Sequence, residues 1–535
     1  MAPHGDLCLA LGLTVVTLLS RWPYRARMLY NWDAVQFALA LREFDIAKHQ
    51  PHPPGYVLYV GLGRALNASL GDPTLAYVAL AMLFSAGSTF VVYGLGRRLY
   101  DRSTALVAAS LLAVSPLFWF YGSVGLTYAG EAFAALVVAW FAYATLGGSV
   151  PHLYWGALAL GLSGGMRPSV LLLLLPLWLG CALLGIRSRR RLAVAGGLLL
   201  ASVLAWLAPM VWLGGGPAAY LAASSQLYGS MLFPTSVLAG SIETTLAQAR
   251  YLLESTLVAL GPLGLVALAL PAYARGVGWR APELFLLAWM LPAGVFYTLV
   301  HFGQAGYVLT FLPALVILLS RVLVWAVAAG SQRLRRPNWR RALTAVAVLP
   351  LVLINTGFFV SARPRPREFD HRAGDTWMWL ARDEFHDWIM SRTAAALREH
   401  DAVIRTYVET IRAVYEPSDT ALVTELGNPR SYPWLRHAMF YMPEYPVYQV
   451  QLGPMPLGFY APQSSATMIL TPGSRIRLPA EIRRLVWFVD HWDPATPRPA
   501  GLREVELPYG RYLYVLPLTR TPAEYAGYTF ERAAR

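Results

Sequence analysis

From Leu7 to Ser361 the chain repeats one feature, runs of mainly apolar residues separated by short loops of Arg, Pro or Gly. A helix needs roughly 20 such residues to cross the hydrocarbon core of a bilayer. About eleven runs qualify, at residues 7–20, 73–96, 103–120, 127–146, 153–167, 169–186, 192–213, 251–273, 281–300, 304–328 and 342–361. With 56% hydrophobic and only 14% charged residues among 535, the chain is no string of ordinary soluble domains. The expected fold class is a polytopic α-helical membrane protein whose main solvent is the lipid bilayer.

The net charge of +14 raises nucleic acid as a partner, and the location of the charge excludes it. Arg97, Arg98 and Arg102, then Arg187 and Arg189 to Arg191, then Arg275 and Arg280, then Arg333, Arg335, Arg336, Arg340 and Arg341 occupy alternate loops. If every run crosses once, all lie on one side, and the positive-inside rule makes that side the cytoplasm. The N-terminus is then cytoplasmic in a multi-pass cell (inner) membrane protein. The segment 21–72, the segment 214–250 and everything after residue 361 are extracytoplasmic. Arg21, Arg25 and Arg27 run against the rule and are outweighed by the later clusters. No Lys or Arg precedes the first run and no small-residue cleavage site follows Ser20, so it reads as a retained helix. Cys8 and Cys181 both lie in apolar runs and build no disulfide framework.

Two domains follow, residues 1–361 in the membrane and 362–535 outside it. In the first outer loop, residues 32–41 suit a helix lying along the interface. Three prolines then forbid a regular helix in His49-Gln50-Pro51-His52-Pro53-Pro54-Gly55-Tyr56. Residues 57–66 are too few to span and are expected to lie in the interface. The C-terminal region reads as a small α/β domain of about 170 residues. Helical spacing runs from Asp375 to Glu399 and another helix over 435–442. Strands are expected at 420–426, 447–450 and 485–489, with a hairpin over 504–517 turning at Tyr509-Gly510.

An ionisable group at membrane depth is costly unless it has a partner or a task. Asp33, Glu131, Arg167 and His301 fall on the same expected outer face, His301 in the turn that also holds Gln304 and Tyr307. Each has a plainer reading. Asp33 suits the N-cap of a helix beginning at Ala34, Arg167 suits snorkelling to a headgroup, His301 an interfacial turn, and Glu131 a structural pair with an arginine. Gly161 and Gly165 have the spacing of helix packing. The prolines deny His49 and His52 the helical geometry of a metal pair. The run Asp383 to Asp387 reads as a solvated helix face. No phosphate loop of the ATP-driven type occurs.

The order of these motifs resembles one family. Asp33 followed by His52-Pro53-Pro54-Gly55-Tyr56 looks like the membrane glycosyltransferases of the GT-C fold, in particular the protein O-mannosyltransferase-like and lipid A aminoarabinose transferase-like groups. Gly96-Arg97-Arg98-Leu99-Tyr100, Ser115-Pro116-Leu117-Phe118, Glu131, Arg167-Pro168 and the stretch from Gln304 to Pro313 are similarly placed, so the likeness spans most of residues 7–361. It implies a polyprenyl-phosphate-linked sugar donor, a protein, lipid or glycan acceptor, and a single inverting displacement. Asp33 suits the general base. Arg167 suits the leaving phosphate through its bidentate fork, with Lys48 and His301 assisting. Glu131, His49, His52, Tyr56, Trp32, Gln304 and Tyr307 make up the substrate-binding set, the aromatic residues stacking on sugar or isoprenoid. Many relatives carry paired acids in the first loop, whereas Asp33 is followed by Ala34-Val35-Gln36 and Glu43 and Asp45 lie further on. No cofactor is implied with certainty, and a divalent metal stays open. The alternative class, a lipid-linked glycan or polymer transporter or flippase, would show pseudo-symmetric halves with spans broken near the midplane.

Overall fold

A computed structural model describes residues 4–333, 337–363, 391–428, 430–432, 434–452, 467–470, 473–519 and 522–533. The bundle is built from helices α1 (His4–Arg21), α2 (Trp32–Arg42), α3 (Val57–Leu70), α4 (Pro73–Leu99), α5 (Arg102–Ala113), α6 (Pro116–Tyr121), α7 (Tyr128–Leu146), α8 (Val150–Met166), α9 (Pro168–Gly185), α10 (Arg189–Leu213), α11 (Pro217–Leu227), α12 (Ile242–Leu260), α13 (Leu270–Val277), α14 (Ala281–Leu299), α15 (Leu312–Arg333) and α16 (Arg340–Ser361). Among the described residues nine helical stretches are long and apolar enough to cross a membrane. Two expected runs fall outside that number. The run 103–120 is broken between α5 and α6, because Pro116 denies a backbone donor there. Helix α8 has 17 residues and a rise of about 26 Å, at the short end for a span.

The break has a partner that accounts for the arginine in the outer loop. Arg21, fully buried, donates through Nη2 to the Ala113 carbonyl at 2.7 Å and through Nε to Ser85 Oγ at 3.2 Å. Its guanidinium lies 4.9 Å from the Trp119 ring centroid. Arg21 thus satisfies the end of α5 inside the protein, so it carries no topological signal. At the other end of α4, Asp6 pairs with Arg97 at 3.2 Å and Arg102 at 3.0 Å. The spacing of Gly161 is packing, as read: a Cβ there would lie 1.8 Å from Ser202 Oγ on α10.

Beyond the bundle come α17 (Ala394–Val414), β1 (Thr420–Leu426), α18 (Leu435–Tyr441), β2 (Val447–Gln451), β3 (Thr467–Ile469), β4 (Arg475–Leu478), β5 (Arg484–Trp487), β6 (Arg503–Leu507), β7 (Arg511–Pro517), β8 (Ala523–Tyr525) and β9 (Tyr528–Arg532). One sheet has the order β3-β2-β1-β5-β7-β6 and a smaller one β4-β9-β8. Strands β3, β2, β1 and β5 run parallel, and β7 and β6 close that sheet antiparallel. The hairpin turns where expected, with Tyr509 and Gly510 at φ 65° and 64°. The expected helix at 375–399 and the run Asp383 to Asp387 lie largely or wholly in 364–390, outside the described residues.

Alternation along the strands decides how the two domains join. Ala421, Val423, Tyr448, Val450 and Trp487 face the smaller sheet. Leu422, Val447, Val486 and Phe488 face α17 and α18 and belong to one core continuous with the bundle. Helix α18 packs against α2, so α2 is buried from Ala34 to Ala40 and does not lie along an open interface. The sequence pattern of α2 is the same in either setting, and the covering domain decides between them.

Glu425, at the end of β1, is buried and accepts hydrogen bonds of 2.5 Å from Tyr525 Oη and Asn428 Nδ2. Burial pushes its carboxyl from 4.5 up to about 7, against the pull of both bonds. The folded chain therefore holds a proton that the unfolded chain has released between those values. This group's contribution is full below about pH 4.5 and lost as pH rises through about 7. Glu425→Gln removes that slope, so wild-type stability relative to the variant falls by about 1 to 3 kcal/mol between pH 5 and 8. Thermal unfolding of the two proteins across this range checks it. The comparison cancels the opposite slope of His437, whose ring burial holds down to about 4. A difference that does not change with pH contradicts the buried, protonated carboxyl.

Candidate active site

The first loop is held open by its backbone. Asp45 and Gln50 exchange two backbone hydrogen bonds of 2.7 and 2.8 Å, and the Gln50–Pro51 and Pro53–Pro54 bonds are cis. His49 and Tyr56 adopt left-handed conformations at φ 55° and 47°, which are rare for such side chains. Gly55 is required twice over: its φ is +110°, and a Cβ would lie 2.7 Å from Met210 Sδ. This path returns His52 toward the start of α2.

Asp33 is not a cap. The helix begins one residue earlier, at Trp32, and Asn31 Oδ1 accepts from the Ala34 N–H at 3.1 Å. Asp33 in the first turn is left facing a small, partly open cavity, with its side chain one-third exposed. Its Oδ1 lies 3.8 Å from His52 Nδ1. That nitrogen donates to Gln36 Oε1 at 2.6 Å, so Nδ1 carries the proton. His52 Nε2 then accepts from Tyr56 Oη at 3.2 Å. Burial lowers the His52 imidazole, with Asp33 pulling the other way, and burial raises the Tyr56 phenol. The two form a neutral pair beside the carboxylate.

Arg167 is placed by its neighbour. Pro168 disfavours helical backbone in the residue before it, and Arg167 sits extended at φ −161°, ψ 116° between α8 and α9. Its side chain turns into the bundle and does not reach for a headgroup. Nη1 lies 2.8 Å from Glu131 Oε1 and donates to Thr127 Oγ1 at 2.8 Å. The guanidinium lies 4.8 Å from the Tyr128 centroid and 4.6 Å from that of Tyr307. Glu131 Oε2 accepts from Thr310 Oγ1 at 3.1 Å, so the acid is fixed from both oxygens. Arg167, Tyr128 and Tyr307 form one wall of the cavity that holds Asp33, Phe37, His52, Tyr56, Leu126 and Thr127.

Of the residues singled out from sequence, Asp33, His52, Tyr56, Arg167 and Tyr307 line this cavity, and Glu131 stands behind Arg167. His301 is one layer out: its Nδ1 is 3.0 Å from Thr235 Oγ1, its ring 6.1 Å from that of Tyr307, and burial holds its imidazole down to about 4. Gln304 holds the turn through its carbonyl, which accepts from Tyr307 N at 3.0 Å. Lys48 pairs with Glu43 and lies 3.7 Å from Asp45, away from the cavity wall. His49 is buried beside the wall, and Trp32 lies under the guanidinium of Arg436. Sequence reading missed Phe37, Leu126, Thr127 and Tyr128. Tyr128 precedes Glu131 by three positions on one helix, a same-face spacing that marks it as a neighbour.

Among the described residues no three His, Cys, Asp or Glu side chains group as metal ligands. The cavity offers one carboxylate, a histidine engaged at both nitrogens and a facing arginine. That donor set fits a divalent cation poorly.

No family model and no curated protein matches the chain. Solved structures do. The crystal structure of ArnT from Cupriavidus metallidurans bound to undecaprenyl phosphate is similar with a TM-score of 0.53 and 15% identity, covering 84% of this chain and 86% of that one. The apo state of that protein gives 0.51 and 16% over the same shares. The Archaeoglobus fulgidus oligosaccharyltransferase in its apo form gives 0.47 and 13%, over 85% of this chain and 65% of that one. The architecture is that of the GT-C fold, as the order of motifs implied, with a C-terminal domain following the helices.

Removing one member of a buried ion pair leaves the other uncompensated, at a cost of about 3 to 5 kcal/mol. Glu131→Ala therefore melts well below wild type in detergent, and the Glu131→Ala, Arg167→Met double variant recovers part of the loss. A single variant as stable as wild type contradicts the pair.

Proposed function

We propose that this protein transfers a sugar from a polyprenyl-phosphate donor to an acceptor at the extracytoplasmic face of the membrane, with inversion. One observation carries the reading: Asp33 and Arg167, a carboxylate and a fixed guanidinium, line the same cavity. The bound undecaprenyl phosphate of the ArnT structure, a lipid phosphate in a shared fold, supports the donor class.

The chemistry follows from the two groups. An acceptor hydroxyl gives its proton to Asp33 as its oxygen attacks the anomeric carbon. The bond from that carbon to the phosphate oxygen breaks, and its electron pair leaves with the lipid phosphate. Arg167 meets the charge gathering there, pre-set by Glu131, Thr127 and two tyrosine faces, so little reorganisation is needed during the step. Attack from the side opposite the leaving group inverts the centre. The neutral His52–Tyr56 pair forms a wall for the sugar without adding charge beside the base. No step runs through a metal. The arginine clusters at the opposite end of the bundle support a cytoplasmic N-terminus and an outward C-terminal domain.

Purified protein given a polyprenyl-phosphate sugar should release polyprenyl phosphate as sugar reaches an acceptor, whereas a flippase moves the lipid intact. Asp33→Asn should lower kcat by roughly 10²- to 10⁴-fold with donor binding retained. Arg167→Lys, which loses the planar fork, should raise the donor KM and lower kcat together. Transfer by Asp33→Asn at the wild-type rate removes Asp33 as the base.

A further inference from the structure

The C-terminal domain grips the segment that leads into Asp33. Arg27 and Met28 donate their backbone N–H groups to the Asp401 carboxylate at 2.8 and 2.9 Å, Leu29 N donates to Tyr441 Oη at 2.7 Å, and Trp32 N donates to Tyr432 Oη at 2.8 Å. Arg27 to Leu29 precede α2 and Trp32 is its first residue, so these N–H groups have no intrahelical acceptor and the domain supplies one.

Arg436, on α18, does something different. It is fully buried, its guanidinium lies 5.4 Å from the Trp32 ring centroid, and its Nη2 donates to the Lys48 carbonyl at 3.0 Å. Trp32 is the residue before Asp33, and Lys48 lies within the Asp45–Gln50 hairpin that delivers His52. One side chain therefore meets the Trp32 ring on one segment and the Lys48 carbonyl on the other, the two segments that bring Asp33 and His52 to 3.8 Å of each other. Arg436 is not on the cavity wall. A guanidinium suits this position because its plane stacks on an indole while its edge donates to a carbonyl, two contacts that an ammonium does not make together.

We propose that Arg436 is a positioning residue for the transfer reaction, tying the helix start that carries Asp33 to the hairpin that carries His52 and making the C-terminal domain part of the active site. This rests on the transfer reading above. Misplacing a reacting group by about 1 Å costs on the order of 100-fold in rate without any loss of the group itself.

The test compares full-length wild type, Arg436→Met and Arg436→Lys in detergent, with kcat, donor KM, melting temperature and amide exchange measured on each. Arg436→Met keeps length and apolar packing. It should lower kcat on the order of 100-fold while donor KM moves less than about threefold, and exchange should quicken both at the start of α2 and in the 45–52 hairpin. Arg436→Lys, which can keep the bond to the Lys48 carbonyl but not the guanidinium plane over Trp32, should recover kcat only in part, to a value between those of Arg436→Met and wild type. Wild-type kcat in a folded Arg436→Met protein overturns the proposal, as does a kcat loss with exchange unchanged in either segment. A loss that only follows a lowered melting temperature and that lysine does not relieve overturns it too. Failure of the transfer reading shows separately, as a wild type that transfers no sugar.

Discussion

The site hangs on one buried ion pair. Arg167 and Glu131 meet at 2.8 Å with side chains 11% and 1% exposed, where α7 begins and α8 gives way to α9. Either charge alone at that depth costs several kcal/mol, so α7, the α8–α9 junction and the Thr310 turn before α15 must arrive together. Each contributes a part that the pair needs. Pro168 turns Arg167 inward, Thr127 and Thr310 take up the remaining hydrogen bonds, and Tyr128 and Tyr307 cover the guanidinium. What stabilises the bundle end also leaves a cation with a fixed position on a cavity wall.

The first loop supplies the opposite charge by other means. Among the described residues Asp33 has no ion-pair partner of comparable geometry; its place is set by where α2 starts and by how the proline-rich return is folded. Both depend on the C-terminal domain, which covers α2 and satisfies the backbone leading into it. The C-terminal domain is thus joined to the helical bundle by one continuous apolar core, with a second core of its own beneath the smaller sheet.

Much of this was legible from residues alone. The apolar runs set the class, and the cost of intramembrane charge picked out Glu131 and Arg167 before their contact was visible. The buried-strand stretch at 420–426 and the Tyr509-Gly510 turn appear as β1 and the β6–β7 hairpin. What stayed hidden depends on distant partners. The run 103–120 is continuously apolar, and its break at Ala113 becomes stable because Arg21 caps it from another helix. Lys48 had the right charge in the right loop, yet Glu43 and Asp45, closer in the fold, claim it. Asp33 resembled an N-cap because Asp and Asn are equally good ones, and Asn31 takes that role. Nothing local in the sequence marks Asp401 or Arg436 as neighbours of residues some 370 to 400 positions earlier, since that proximity is made by the sheet packing on α17 and α18.

The central claim is that a lipid-phosphate sugar lies between Asp33 and Arg167. A structure of the protein with a non-hydrolysable polyprenyl-phosphonate sugar tests it most directly. The account predicts the phosphorus group within hydrogen-bond reach of Arg167 and the anomeric carbon facing the cavity beside Asp33. A phosphonate bound elsewhere, with the Arg167 cavity empty or filled by protein, would contradict it.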